Sequence, residues 1–354
     1  MNITRIAAMS LLVLAGCGKP PAPQVSPPRA TPTPAESKEL RVFCRPEAIP
    51  QPLIAQFTKE TGIAVSVENH ASKEEMLARL LHGSRYDIIL SCEDAIGALA
   101  KDGMLHPLDH AGIPNWKNIA PIFLNRSFDP GNVFSVPFLA APVGIVVNTE
   151  KNSDDIRGIA DVFAEKNSGD IVVPDDAREI VTLGFLAQGT PINQATDEAL
   201  EKARPLLAKW LPLVKVSDSP MTVLLNGGAS VGVIRGGEAA VLLNADKKFK
   251  WVIPAEGAHL AMDSLAIPKA AENVANAGAF INFLLRPDIS RQASDALPSL
   301  NPNVPARALL SPSQRANPAS FPTDQEVARM QTFEDVGEQA SKFDAIVTAP
   351  QTPR

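Results

Sequence analysis

Residues 40–69 read LRVFCRPEAIPQPLIAQFTKETGIAVSVEN, and this stretch contains the repeating unit of the fold. Residues 40–44 are a short apolar run typical of a buried strand, and residues 50–62 have the apolar spacing of an amphipathic helix that ends at Gly62. A second apolar run follows at 63–69. A strand, a helix and a strand in this order predict a βαβ unit with parallel strands.

The same alternation continues along the chain, but two long apolar segments, 134–148 and 259–268, interrupt it. Further strands are predicted at 86–92, 170–174, 231–235 and 249–254, and further helices at 72–83, 94–103, 176–189, 196–210, 236–246, 273–287 and 288–298. One sheet would need too many strands. We therefore predict two α/β lobes joined by two extended crossings, with a ligand cleft between them at the carboxyl ends of strands.

The first 39 residues have the pattern of an export signal and a spacer. Arg5 precedes the apolar run 6–14, and Leu-Ala-Gly before Cys17 resembles the bacterial lipobox. This pattern predicts a signal peptide at 1–16, lipidation of Cys17 and a proline-rich tether at 17–39 that holds the domain away from a membrane.

Composition excludes several classes of protein. The 354 residues are 45% hydrophobic with a net charge of -6, which is untypical of a disordered chain or of a polybasic nucleic-acid binder. After the signal, no apolar run approaches the roughly 18 to 20 residues of a membrane-spanning helix. We therefore expect a globular, exported protein whose membrane contact is its lipid anchor.

Five segments identify a family. FTKETGIAVSV (57–67), VPDDAREI (173–180), MDSLAIP (262–268), INFLLRPDI (281–289) and ARALLSP (306–312) resemble, in order and spacing, the spermidine/putrescine-binding proteins of ABC importers. The resemblance implies a type II periplasmic-binding-protein fold, in which two lobes close over a ligand about a two-strand hinge. The expected boundaries are lobe 1 at 40–140 and 262–306, lobe 2 at 141–261 and 307–345, and a flexible tail at 346–354.

The resemblance also implies a ligand site. Asp176, Glu179 and Asp263 match acids that neutralise the ligand's ammonium groups in that family, and carboxylates suit this task because they only accept hydrogen bonds. The family's aromatic cage is missing. The positions where the family has tryptophan or tyrosine are here Arg45, Ala48, Asp94, Arg235, Ala261 and Ser299. Each lost cation–aromatic contact weakens a polyamine complex by about 0.5 to 2 kcal/mol.

Two outcomes remain open for the arginines. Arg45 and Arg235 either pair with Asp94, Asp176 or Asp263, or hold an anionic or zwitterionic ligand. Glu47 and Glu93 add negative charge nearby. We predict a small cationic or zwitterionic ligand, first of all a polyamine, bound by a monomer that passes it to an ABC permease. We expect neither a cofactor nor a metal. The candidate ligand residues are Arg45, Glu47, Glu93, Asp94, Asp176, Glu179, Arg235, Asp263 and Ser299.

Some of these residues also allow other interpretations. The missing cage also suits a sensor or envelope binding module that does not serve transport. Ser230, in the G-x-S-x-G of residues 228–232, follows a helix and precedes a strand, which is the reverse of a hydrolase nucleophile elbow, so we reject catalysis there. Cys44 and Cys92 end neighbouring strands and either form a disulfide or stay reduced. Asp175 is expected to cap the helix at 176–189, and the histidines are expected in loops or on the surface.

Overall fold

The structure is a computed structural model that describes residues 37–348. Its strands are β1 (Glu39–Cys44), β2 (Ala64–Asn69), β3 (Ile88–Cys92), β4 (Ser135–Asn148), β5 (Ile171–Pro174), β6 (Val214–Ser217), β7 (Val231–Arg235), β8 (Phe249–Val252) and β9 (Leu260–Ala266). The longer helices are α1 (Gln51–Thr61), α2 (Lys73–Leu81), α3 (Glu93–Lys101), α5 (Ala177–Ala187), α6 (Asp197–Trp210), α8 (Gly236–Ala245), α9 (Val274–Leu284), α10 (Pro287–Ala296) and α14 (Ala340–Thr348). The shorter ones are α4 (Ile159–Val162), α7 (Pro220–Leu225), α11 (Val304–Ala308), α12 (Pro312–Arg315) and α13 (Asp324–Ala328).

The strands are hydrogen-bonded in the order β2-β1-β3-β9-β4-β7-β5-β6, and β8 pairs with β4. Pairs β1–β2, β1–β3, β5–β6 and β5–β7 are parallel, whereas β9 runs antiparallel to both β3 and β4. The parallel βα units predicted from the sequence are therefore present on both sides of the central strands. Helix α1 ends where predicted, at Gly62, whose φ of 72° is the left-handed conformation that glycine adopts at low cost.

Strand β4 belongs to two sheets. Its first part, from Ser135 to Pro142, pairs with β9, and its second part, from Val143 to Asn148, pairs with β7 and β8. Proline has no amide hydrogen to donate, and the register with β9 breaks between Pro137 and Leu139. The predicted crossing at 134–148 is thus one continuous strand, and the second crossing contains β9.

Separate apolar cores lie on the two sides of this strand. The first core packs β1, β3, β9, α1 and α9 around Phe57 and Phe280, whose rings meet edge to face at 4.8 Å. The second core packs β5, β7, α5 and α6, where Phe163 stacks on Trp210 at 4.1 Å. A third, smaller cluster lies between β7, α7, α8 and β8. The site described below lies where the first and third clusters approach each other.

Several boundaries differ from the sequence prediction. Strand β6 was missed because its residues, VKVS, are half-exposed and polar at alternate positions, as expected at a sheet edge. Glu39 is already in β1 rather than in the tether. The flexible tail was predicted to begin at 346, but α14 continues to Thr348 and buries Ile346 in the second core. The predicted signal peptide and Cys17 lie outside the described residues. Among the residues that are described, no helix combines the length and the apolar character needed to cross a membrane.

Cys44 and Cys92 are free thiols in the structure. Strands β1 and β3 are neighbours, but their register pairs Val42 with Ile88, so Cys44 is level with Leu90 rather than with Cys92. An offset of two residues places the two Cα atoms roughly 8 Å apart. A disulfide needs less than about 7 Å, so this register does not allow the pairing. Burial raises the pKa of Cys44 to about 11, which keeps that thiol protonated.

Candidate functional site

A cavity of about 320 Å³ opens between the first and third apolar clusters. Its charged and hydroxyl groups are those of Arg45, Glu47, Arg235, Glu238, Asp263 and Ser299. Its apolar wall includes Leu139, Met221, Val241 and Leu297. A volume of this size suits a small ligand, and we call it the cleft cavity.

The cleft cavity brings together Arg45 and Asp263. Arg45 follows the carboxyl end of β1, and Asp263 lies on β9 opposite Cys92. The Arg45 guanidinium donates to the Asp263 carboxylate in an ion pair, of which the arginine side chain is 48% exposed and the aspartate 16%. One of the two outcomes predicted for Arg45, pairing with a family acid, is therefore present.

Arg235 also lines the cleft cavity, but it has a different environment. Its side chain is exposed there and forms no ion pair or hydrogen bond with any residue that the structure describes. Desolvation would lower the pKa of Arg235, yet the charges of Glu179, Asp263, Asp176 and Glu93 outweigh this effect and raise it. Arg235 is therefore a permanent cation without a bonded partner.

A second cavity, of about 300 Å³, has Asp94 and Asp176 in its wall together with Lys73 and Arg178. The Asp94 carboxylate accepts hydrogen bonds from Lys73 Nζ at 2.7 Å and from Arg178 Nη1 at 3.0 Å. Burial would raise the pKa of Asp94, but the two cations outweigh burial and lower it. Arg178 also donates to the Glu334 carbonyl at 2.7 Å. Asp94, at the start of α3, is thus bound to the start of α5.

Asp176, and not Asp175, is the N-cap of α5. Its carboxylate accepts from the backbone amides of Arg178 at 3.0 Å and Glu179 at 3.1 Å. The prediction that Asp175 caps the helix was wrong because the Asp175 amide instead extends the β5–β6 ladder by donating to Ser217 at 2.8 Å. Burial, followed by the charge of Glu179, raises the pKa of Asp176.

Glu93 and Glu179 are buried and line neither of the two cavities. His259 lies between them: its Nε2 is 2.6 Å from Glu93 and its Nδ1 is 2.8 Å from Glu179. Burial would lower the pKa of His259, but the two carboxylates raise it to about 9, so the ring is an imidazolium that donates to both. Phe333 stacks on the ring at 3.6 Å.

The prediction that the histidines lie in loops or on the surface is wrong for His259, which is buried in a β-bridge with Gln331. His70 does lie in a loop, after β2, but it is buried as well. His259 stands at the start of the apolar crossing 259–268. That position was the one signal in the sequence for its burial, because a polar residue within an apolar crossing needs a buried partner.

The nine predicted ligand residues thus fall into three groups. Arg45, Glu47, Arg235, Asp263 and Ser299 meet in the cleft cavity. Asp94 and Asp176 lie in the wall of the second cavity, and Glu93 and Glu179 are buried around His259. Glu238 also lines the cleft cavity and was not predicted.

The hydrolase interpretation is not supported by the environment of Ser230. This serine lies between α7 and β7, as the sequence predicted, and is fully buried. Its hydroxyl has no hydrogen-bond partner within residues 37–348, so no histidine activates it there. In the same part of the chain, no group of three or more histidine, cysteine or acidic side chains is arranged to hold a metal ion.

Comparison with known proteins agrees with this geometry. The spermidine/putrescine-binding periplasmic protein of Escherichia coli K12 is 33% identical over 84% of this chain and 87% of its own length. The putrescine-binding periplasmic protein SpuD of Pseudomonas aeruginosa is 30% identical over 85% of this chain and 88% of its own. The crystal structure of the spermidine/putrescine ABC transporter substrate-binding protein PotD from Streptococcus pneumoniae matches with a TM-score of 0.79 and 30% identity, covering 88% of this chain and all of that one.

The fold is therefore the α/β fold of periplasmic binding proteins. The model of the bacterial extracellular solute-binding protein family matches residues 52–323. The chain belongs to this family and, within it, to the spermidine/putrescine-binding proteins. The predictions of an extracytoplasmic binding protein and of a protein that is not an enzyme are thereby confirmed.

Proposed function

We propose that this chain captures a small amine outside the cytoplasm, with polyamines as the first candidates, and delivers it as a monomer to the permease of an ABC importer. The observation that carries the proposal is the acidic cleft cavity, to which both sides of the molecule contribute. Asp263 comes from the side of the first core, and Glu238 comes from α8 on the other side. Both carboxylates are acceptors for an alkylammonium group.

The proposal includes closure of two lobes with the boundaries predicted above. Strand β4, which pairs with both sheets, and the segment that contains β9 would form the hinge. A ligand that contacts both lobes selects the closed form, because those contacts exist together only in that form. Lipidation at Cys17 would keep the protein close to its permease.

A second function has one observation in its favour. Arg45 already forms an ion pair with Asp263, and Lys73 and Arg178 already form ion pairs with Asp94. These acids are therefore neutralised without a ligand. Such a cleft would also suit a sensor or envelope module that binds an anion. Binding of succinate, with no binding of any amine, would favour this function.

Calorimetric titration of the mature protein with spermidine, putrescine and ornithine tests the main proposal. We expect at least one of these amines to bind. Asp263→Asn should weaken that binding roughly ten- to hundredfold, because a hydrogen bond to a charged group contributes about 1.5 to 3 kcal/mol. Reversal of the charge with Asp263→Lys should abolish the binding.

Asp295→Asn is the matched control, because Asp295 forms an exposed ion pair with Arg291 within α10. This variant should bind like the unmodified protein. Equal affinity of the Asp263→Asn variant and the unmodified protein would rule out Asp263 as a ligand residue.

A further inference from the structure

We infer that the cleft cavity is built for an amine that also carries a carboxylate, and that Arg235 binds this carboxylate. This inference rests on the proposed function and narrows its ligand class. A bare polyamine presents only cations, whereas an amino-carboxylate presents both charges. The ion-pair partners of the charged residues in the cleft cavity distinguish between these two classes of ligand.

Of the acids that line the cleft cavity, Asp263 already has a cation of its own, whereas Glu47 and Glu238 have no ion-pair partner among the described residues. Asp263 is paired with Arg45, and Asp94 is bound by Lys73 and Arg178. Glu93 and Glu179 share the imidazolium of His259. The cleft cavity therefore offers two unpaired carboxylates, those of Glu47 and Glu238, to two ammonium groups. The ammonium groups of a bare polyamine would leave Arg235 without an anion.

Arg235 provides an unpaired positive charge in the same cavity. Among the described residues that line the cleft cavity, it is a cation that lacks an ion-pair partner, and its forked guanidinium matches the two oxygens of a carboxylate. Arg235 is also the N-cap residue of α8, whose first two residues are Gly236 and Gly237 and which has no side-chain cap. The positive end of this helix therefore adds to the field that favours an anion.

Glu238 lies in the same first turn of α8 and could oppose a bound carboxylate. Burial raises the pKa of Glu238, although the backbone and the charge of Arg235 act against this shift. The carboxylate of Glu238 is an acceptor for an ammonium group, and an amino-carboxylate brings such a group together with its carboxylate.

The net charge of the cavity also complements that of a diamino carboxylate. With all groups ionised, the carboxylates of Glu47, Glu238 and Asp263 and the guanidiniums of Arg45 and Arg235 leave one net negative charge. A diamino carboxylate such as ornithine has one net positive charge and balances it. Putrescine and spermidine bring an excess of positive charge. The apolar wall around Leu139, Met221 and Leu297 suits the methylene chain of such a ligand.

Matched ligand pairs test the inference because their members differ only by one carboxylate. Ornithine is compared with putrescine, and lysine with cadaverine, by calorimetric titration at neutral pH and constant ionic strength. We expect the carboxylated member of each pair to bind at least tenfold more tightly. Arg235→Gln should weaken ornithine binding roughly ten- to hundredfold and leave putrescine binding unchanged or tighter. Arg235→Lys, which keeps the charge but loses the fork, should have an intermediate affinity.

Arg85→Gln is the control, because Arg85 forms an exposed ion pair with Glu272 and lines neither cavity. Putrescine binding as tight as ornithine binding would overturn the inference and leave the proposed function standing. An equal effect of Arg235→Gln on both ligands would overturn it too. If no amine of either pair binds, the proposed function fails and the inference fails with it. The ligand pairs decide the question on the unmodified protein, even if an Arg235 variant does not fold.

Discussion

At the scale of single residues, the acids in and around the site differ in their ion-pair and hydrogen-bond partners. Asp263, Asp94 and Glu179 each have a cationic partner, whereas Asp176 is held by backbone amides. The buried Glu93–His259–Glu179 group is the most consequential of these arrangements. Two buried carboxylates on one imidazolium depend on its proton, because removing that proton leaves two negative charges close together.

We therefore predict that alkaline conditions destabilise the protein through His259. The folded-state pKa of about 9 lies above the ordinary value of 6.5 for a histidine in an unfolded chain. The stabilisation is complete below about 6.5, and it is lost as the pH rises through about 9. A shift of this size corresponds to on the order of 3 kcal/mol of unfolding free energy. Urea unfolding at pH values from 6 to 10 measures it.

Two variants sharpen this measurement. His259→Gln should lower the stability at pH 6 and flatten its decline between pH 6.5 and 9. His82→Gln removes an exposed histidine and should leave the profile unchanged. An unmodified protein whose unfolding free energy is constant across that range would show that His259 carries no proton in the fold.

Motifs in the sequence pointed to three acids but not to their surroundings: Asp263 lines the cleft cavity, whereas Asp176 lines the second cavity and Glu179 is buried beside His259. The positions of Asp176, Glu179 and Asp263 followed from motifs in which each residue has fixed neighbours along the chain. The partners of His259 lie 80 and 166 residues away. Such pairs are set by the way distant segments pack, and the same polar residue types would equally suit a solvated loop.

At the scale of elements, β4 depends on the absence of a side chain at Gly144. A Cβ atom there would be 2.6 Å from the Trp251 ring and 2.9 Å from the Val252 carbonyl oxygen on β8. Neither atom can move away without disturbing the β4–β8 ladder. Gly144 is therefore required by close packing.

We predict that Gly144→Ala lowers the unfolding free energy by about 1 to 3 kcal/mol, because overpacking shifts side chains and backbone. Gly278→Ala is the control, since a Cβ atom on this glycine of α9 would meet nothing within 4 Å. It should raise stability by up to about 1 kcal/mol, as alanine favours helix more than glycine does. Denaturant unfolding measures both variants, and equal effects would contradict the packing argument.

Elements were predicted best where the local sequence specifies them. Helix α2 begins at Ser72, whose hydroxyl accepts from the Glu75 amide, and its apolar spacing is regular. Strand β6 lacks such signals, because it is a strand only through its pairing with β5. The sequence left open whether Cys44 and Cys92 are bonded for a related reason: adjacency of strands follows from topology, but register does not.

At the scale of the whole molecule, bonded groups connect the two predicted lobes. Asp94, in predicted lobe 1, is bound by Arg178 of predicted lobe 2. Glu93, also in predicted lobe 1, is bound by His259 of predicted lobe 2. If the lobes close as proposed, these contacts would favour the closed arrangement without a ligand, and a ligand would add to that preference.

We predict that Asp94→Asn opens the ligand-free protein, because it removes the charge that holds Arg178. Small-angle X-ray scattering should show a larger radius of gyration for this variant, and ornithine or putrescine should bind more weakly, because a smaller fraction of the protein is competent to bind. Asp295→Asn should scatter like the unmodified protein. Identical scattering of the Asp94→Asn variant would show that the Asp94–Arg178 contact does not control closure.

Strand β4 has a mechanical consequence for the proposed movement. Its pairing passes from β9 to β7 between Pro142 and Val143, and Val143 lies opposite Arg235. Ala141, two residues before Val143, lines the cleft cavity. In the proposed closure, a ligand in that cavity would therefore lie close to the axis about which the lobes rotate. A displacement of a few tenths of an ångström at the ligand would become a larger displacement at the outer surfaces of the lobes, which a permease would contact.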